Sequence, residues 1–218
     1  VSRSRLHPEQ NGSVTLLTGQ VDITGLHTAL AQVVAEELAV PVSKVKVSLG
    51  DTDAVPYTAL SAGSLATYSA GTAAREASRR ARERLLEAAA EVLQVEAAQL
   101  ELREGRVQVR GDRERSVGLG ELAAGAVWKA GGPISGQWVL GSLPTHPSYA
   151  VNIATVEVDP DTGAVRLLDL VAGQDVGRAL NPTLVEGQMQ GGATQGIGLG
   201  LMEGYSYGPD HRLHGLAG

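Results

Sequence analysis

DVGRALNPTLVEGQMQGGATQGIGLGLME, residues 175–203, is the stretch that the remainder of the chain reads as a frame for. A loop ending in Asn181-Pro182 leads into a helix-like run over 185–203. That run carries Gln188, Gln190 and Gln195 among six glycines, Gly187, Gly191, Gly192, Gly196, Gly198 and Gly200. Each interior glycine costs a helix up to about 1 kcal/mol relative to alanine, so a compensating role is required. Glycine lets backbone N–H groups approach a ligand, and side-chain amides both donate and accept. Together they suit a large polar ligand bearing phosphate and heterocycle edges. Close packing of helices through small residues is the alternative.

Immediately upstream, residues 149–170 read as a long hairpin: alternating IATVEV, the turn Asp159-Pro160-Asp161-Thr162-Gly163, then AVRLLDLV. From Gly204 onward the sequence is polar and shows no closing element. Toward the N-terminus, residues 99–110 (QLELREGRVQVR) form a second hairpin with Gly105 in its turn, and 111–136 reads as glycine-rich linking structure with one helical turn near Leu119. The longest helix spans 65–93. Ala74, Ala77, Ala81, Leu85, Ala88 and Val92 form a small-residue seam along it, while Glu76 with Arg80 and Arg79 with Glu83 are spaced to pair on the wet face. The charged run from Arg75 to Glu87 reads as that solvated face.

The chain opens with the polar VSRSRLHPEQNG. Residues 13–18 then read as a short strand, continued over 19–23 beyond a bend. Leu30, Val33, Val34 and Leu38 follow at helical spacing, the helix stops at Pro41, and KVKVSL over 44–49 alternates as a half-buried strand. The expected fold class is α+β, helices packed on mixed or antiparallel sheet with two prominent hairpins. Two subdomains, 1–140 and 141–218, are expected to meet near residue 140.

Composition narrows the function classes. In 218 residues, 43% are hydrophobic yet none is Phe, so the core must be built from Val, Leu, Ile and Ala. The absence of cysteine excludes a disulfide framework, a cysteine nucleophile and an iron–sulfur cluster ligated by this chain. A net charge of −6 argues against a broad basic face and hence against nucleic acid as a partner. No apolar run approaches the roughly 20 residues of a membrane span, and no signal peptide opens the chain, so a cytoplasmic location is expected. The first residue is Val1 rather than Met, which raises the expectation of a fragment.

Three loops are alike in kind. TGLHT (Thr24, Gly25, Leu26, His27, Thr28) and SAGS (Ser61, Ala62, Gly63, Ser64) each precede a helix, where free N–H groups and the positive dipole end favour anions. GQMQGGATQG, with Gln195 and Gly196, is the third. Capping explains each Ser or Thr taken singly; three such loops point to a shared cleft. GIGLG at 196–200 follows no strand and lacks the dinucleotide-fingerprint spacing. His27 could be a base, a ligand or a structural side chain. HRLH, with His211 and His214, is a weak metal signal, and Asp51 and Asp53 suit a turn as well as a cation. Glu203 is a possible acid/base group.

Several motifs in one order, TGLHTALAQVVAEEL, VKVSLGDTDAVPYTALSAGS, VEVDPDTGAVRLLDLV, DVGRALNP and GQMQGGATQGIGLGLME, closely resemble the C-terminal molybdopterin-binding part of the large subunit of molybdenum hydroxylases. This is the xanthine dehydrogenase and aldehyde oxidase family. The resemblance runs from about Gly19 to Glu203 and implies molybdopterin with molybdenum, in the cytosine dinucleotide form usual in bacterial members. It implies oxidative hydroxylation of an aldehyde, purine or N-heterocycle, a small-molecule substrate, with water as oxygen source. The implied partners are the remainder of the large subunit and iron–sulfur and FAD domains or subunits. Carried over by position, Thr24, Gly25, Leu26, His27 and Thr28, with Ser61, Ala62, Gly63 and Ser64, would contact pterin and phosphates, and Gln195 with Gly196 would lie close to the metal. No metal ligand is expected from the chain itself. The family's first loop usually reads Gly-Gln-Gly where Ile23-Thr24-Gly25 stands here. The family's base glutamate lies in a downstream motif not found before Gly218, so no catalytic residue is expected and the chain alone should not turn over. A non-catalytic scaffold with a degenerate cleft is the alternative.

Overall fold

In a computed structural model of the protein, residues 2–216 are described apart from 50, 52, 54, 129–131, 143 and 145, and without the side chains of 49 and 214–216. The chain divides into two compact units, Val1–Pro144 and Thr145–Gly218.

The first unit is organised around a four-stranded sheet in the order β3-β2-β1-β7. Here β1 is Ser2–Pro8, β2 is Val14–Thr18, β3 is Val45–Leu49 and β7 is Gly136–Leu140. The sheet is mixed: β2 pairs in parallel with β3, while β1 pairs antiparallel with both β2 and β7. The parallel pair needs a crossover, and α1 (Leu26–Leu38) supplies it, burying Leu26, Leu30, Val34 and Leu38. Helix α2 (Ala66–Leu93) packs on α1, β1 and β7 through Ala70, Ala73, Ala74, Ala77, Ala81, Leu85 and Ala89. The buried stripe leaves the expected seam at its C-terminal end, where Ala89 replaces Ala88 and Val92 is exposed. Wet-face partners differ as well: Arg79 reaches Glu76 at 3.4 Å, and the Arg80 guanidinium stands 4.5 Å over the Trp138 ring.

The opening segment, expected to be an irregular polar start, is instead β1, a strand paired on both sides. Its buried row is Ser2, Ser4, Leu6 and Pro8, alternating with Arg3, Arg5 and His7. Serine filled positions where an apolar residue would have announced a strand. The small side chains let the alanine face of α2 approach, and Gly136 marks the same contact from β7: a Cβ there would run into the Ala77 carbonyl and lie 2.6 Å from the Ala81 nitrogen.

A second, antiparallel sheet is formed by β4 (Leu100–Arg103), β5 (Arg106–Val109) and β6 (Asp112–Gly118). Glu104 (φ 50°) and Gly105 (φ 73°) make the tight turn between the first two strands. Helix α3 (Leu119–Ala126) follows, and its Leu119, Leu122 and Ala126 join Leu100, Val107, Val117 and Leu85 in one core. Residues 112–126 are therefore regular, with β6 running directly into α3. The glycines of the 111–136 stretch end β6, start α3 and open β7, where a loop reading had been expected. Residues 19–23 do not extend β2; Val21 and Ile23 are exposed there.

The second unit contains β8 (Ala150–Val158), β9 (Val165–Gln174), α4 (Pro182–Leu201), β10 (Tyr205–Tyr207) and β11 (Leu213–Leu216). β8 and β9 form one hairpin. Its turn is held by the Asp159 carboxylate, which accepts from the N–H groups of Asp161 (2.8 Å) and Thr162 (3.1 Å), bonds that pull its pKa below the ordinary value. Asn181 caps α4 by accepting from the Leu184 N–H at 3.3 Å, with Pro182 at the first helical position, so the helix starts before residue 185. β10 and β11 form a short closing hairpin that the polar sequence after Gly204 did not announce. None of the described residues of this unit is buried. Val151, Ile153 and Leu168 are at least half exposed.

Two substitutions test the contact between α2 and the sheet. Gly136→Ala should destabilise the protein by about 3 kcal/mol, since backbone rather than a flexible side chain must give way. Ser4→Ala should be neutral or stabilise by up to about 1 kcal/mol, because the buried Ser4 hydroxyl has no partner among the described residues. Chemical denaturation of both variants measures each effect.

Candidate functional site

The loops that start α1 and α2 share an unusual backbone. Thr24 (φ 61°) and Gly25 (φ 76°) stand consecutively in the left-handed region before α1, and Gly63 (φ 63°) and Ser64 (φ 56°) do so before α2. Glycine adopts this conformation without penalty; a β-branched threonine does not, so Thr24 is strained. Its hydroxyl donates to the neighbouring Ile23 carbonyl at 2.6 Å. Each loop leads directly into the first turn of a helix, whose leading amides have no intrahelical acceptor. Among the described residues, the N–H groups of Thr28, Ala66 and Thr67 have no protein acceptor. That of His27 is held by the Asp22 carboxylate at 3.0 Å.

One buried side chain lies between the two loops. Gln20 is 2% exposed. Its Oε1 accepts from the Ser61 hydroxyl at 2.6 Å and its Nε2 donates to the Ala59 carbonyl at 3.1 Å. The Gln20 carbonyl lies 3.1 Å from His27 Nε2, which must be the protonated ring nitrogen because a carbonyl can only accept. His27 thus has a structural role. Gly19 permits the approach: a Cβ there would lie 2.5 Å from the Pro56 carbonyl and 2.9 Å from the Thr58 hydroxyl. Neither Gln20 nor Asp22 was singled out from sequence, since both fall in the stretch read as a strand extension. The signal available was Gly-Gln directly after a strand.

Gln20 thus links His27, of the loop Thr24, Gly25, Leu26, His27 and Thr28, to Ser61, of the loop Ser61, Ala62, Gly63 and Ser64. Leu26 is buried and serves the core, whereas Thr24, Thr28, Ala62, Gly63 and Ser64 are exposed. Gln195 and Gly196 lie on α4 in the second unit. Gln195 is exposed, and a Cβ on Gly196 would meet nothing within 4 Å. The same open space surrounds Gly187, Gly191, Gly192 and Gly200, so these glycines are not at a tight helix contact within the chain. Gly192, Gly196 and Gly200 instead line a largely apolar cavity of about 400 Å³ between α4 and the β8–β9 hairpin. Glu203 folds back toward Gly198, where its Oε1 would lie 2.8 Å from an added Cβ.

No group of three His, Asp or Glu side chains converges to hold a metal ion among the described residues. Asp51 accepts from the Asp53 N–H at 3.0 Å, a turn; Gly50 and Thr52 beside them lie outside the described residues, as does the side chain of His214. No described helix is long and apolar enough to cross a membrane.

This is a domain that offers hydroxyls, helix-start amides and glycine-lined space to a ligand. It belongs to the molybdopterin cofactor-binding domain family, which matches residues 2–215. The chain is 32% identical over 212 residues to the nicotine 6-hydroxylase large subunit of Paenarthrobacter nicotinovorans, covering 91% of this chain and 25% of that relative. It is 33% identical to the aldehyde oxidoreductase molybdenum-binding subunit PaoC of Escherichia coli, covering 93% and 26%. The fold superposes on CO dehydrogenase from Oligotropha carboxidovorans with a TM-score of 0.88 at 26% identity, over 98% of this chain and 27% of that one. The chain thus spans about a quarter of the length of these relatives, and the resemblance to molybdenum hydroxylases read from its motifs holds.

The strain at residue 24 gives a direct test. Thr24→Gly should raise stability by on the order of 1 kcal/mol, the relief of a left-handed β-branched residue less the flexibility that glycine adds to the unfolded chain. A thermal midpoint equal to or below that of the parent would contradict it.

Proposed function

We infer that this chain forms part of the molybdenum-cofactor-binding large subunit of a hydroxylase that oxidises an aldehyde, purine or N-heterocycle. The observation that carries the reading is the pair of loops before α1 and α2, joined through Gln20 in a chain that the molybdopterin cofactor-binding domain family matches over residues 2–215. The residues present fit a molybdenum-bearing pyranopterin: hydroxyls and N–H groups for phosphate and pterin edges, an exposed amide on α4, and no competing cluster of metal ligands among the described residues. In this reading Gly25, Thr28, Gly63 and Ser64 hold pterin and phosphate oxygens, and Thr24 and Ser61, whose hydroxyls donate to the Ile23 carbonyl and to Gln20, contribute through their main-chain N–H groups. Leu26 and His27 support the first loop from beneath, Ala62 closes the second, and Gln195 and Gly196 approach the metal end. The cofactor, when bound, supplies the redox chemistry of hydroxylation with water as the oxygen source.

The proposed cofactor is the cytosine dinucleotide form that the resemblance to bacterial members of the family implies. The remainder of a large subunit and iron–sulfur and FAD modules are the proposed partners, and a cytoplasmic location the proposed setting. Residues 1–140 and 141–218 act as two cofactor-contacting subdomains. The exposed valines and leucines of the β8–β9 hairpin support contact with further protein, because apolar area of that extent costs free energy when left in water. This chain by itself would not turn over. A non-catalytic scaffold is the second reading, favoured by one feature: Thr24 offers only a hydroxyl where the family's loop usually carries a glutamine.

Metal analysis of the polypeptide purified from its own cells, with co-purifying subunits, separates the two. Stoichiometric molybdenum is expected. No molybdenum, in cells that load other molybdenum enzymes, would leave the scaffold.

A further inference from the structure

We propose that Gln20 is a positioning residue that couples the two helix-start loops, so that loosening one loosens the other. The proposal deepens the cofactor-binding reading and rests on it for the ligand alone; the coupling itself is a property of the chain. The geometry is a three-point clamp. The Gln20 side chain receives the Ser61 hydroxyl and donates to the Ala59 carbonyl, which fixes the segment leading into α2. The Gln20 main-chain carbonyl accepts from His27, which fixes the first turn of α1. One residue therefore holds both loops, and it sits two residues beyond β2, a strand paired on both sides within the sheet.

Burial makes the clamp selective. At 2% exposure the amide has little access to water, so a shift of the 59–64 segment would leave both its oxygen and its nitrogen unpaired. A side chain at Gly19 would wedge the segment away, since its Cβ would lie 2.5 Å from the Pro56 carbonyl. Asp22 adds a separate hold on the His27 N–H, which orients the helix start without reaching the second loop. Loops on which two consecutive residues are left-handed need such fixing, because their conformation is not the one a free chain prefers. A ligand that bridges the two loops would then meet them already set, and the ordering cost of binding falls accordingly.

The test uses the full chain, with its subunits, as Gln20→Leu, Ser61→Ala and the double variant. Hydrogen exchange of the cofactor-free protein is read first. Gln20→Leu should speed exchange about tenfold at residues 24–28 and 59–64 together while leaving β1 and β2 protected. Ser61→Ala should also loosen residues 24–28, which it does not touch. Loosening confined to 59–64, or none, overturns the coupling. If Gln20→Leu also loses protection in β1 and β2, Ser61→Ala decides alone. Molybdopterin retained after dialysis, measured by fluorescence of its oxidised pterin, should fall about tenfold in each single variant, the factor that about 1.4 kcal/mol provides. The double variant should be no worse than Gln20→Leu; losses that multiply would mean the two residues act independently and overturn the proposal. Gln20→Glu gives a readout that lost packing would not: a neutral acid can both accept from Ser61 and donate to Ala59, whereas a carboxylate can only accept. Protection of residues 24–28 should therefore recover as pH falls, and its failure to do so counts against the clamp. A parent protein that never carries pterin would overturn the cofactor reading, while the exchange data still decide the coupling.

Discussion

The close approach of α2 to the β1–β7 edge of the sheet is the constraint on which the first unit depends. Alanines at Ala77 and Ala81 lie against Gly136, and serines rather than leucines fill the buried row of β1. The core has no phenylalanine to bridge a wider gap, so the layers must come together until small side chains touch. That choice sets the separation of helix and sheet. It also fixes where α2 begins, and with it the loop at residues 61–64.

Fixing α2 in this way places two helix starts near one strand end. The parallel β2–β3 pair requires α1 as its crossover, and the chain leaves β2 at Gly19-Gln20 to make it. Gln20 is buried there, between the turn into α1 and the segment that reaches α2. The site residues are thus a consequence of topology: residues some 40 positions apart meet because the sheet brings them past the same strand end.

The second unit is built on a different balance. Its hairpin is regular, its helix is well capped, and yet no described residue of it is buried. A helix with six glycines has little side chain to pack, which leaves an apolar cavity against the hairpin and open space on the glycine positions. The apolar side chains left exposed in this way are the ground for the proposed contact with further protein.

The long α2, the two hairpins around Gly105 and Asp159 and the two Ser/Thr/Gly loops were legible in the sequence, and so was α4, although the sequence placed its start at residue 185 rather than at Pro182. Each is encoded by neighbours: periodicity, turn residues and caps act over a few positions. The family could likewise be read from motifs in order. β1 was not legible, because its buried row is partly serine, nor were β6 and β7, because their glycines look like linker until a partner surface is known; α3 was read only as one helical turn near Leu119. Gln20 was missed for the same physical reason. Whether a glutamine is a solvated amide or a buried clamp depends on what stands opposite it, and Ser61, Ala59 and His27 come into range only once α1, α2 and the sheet have packed.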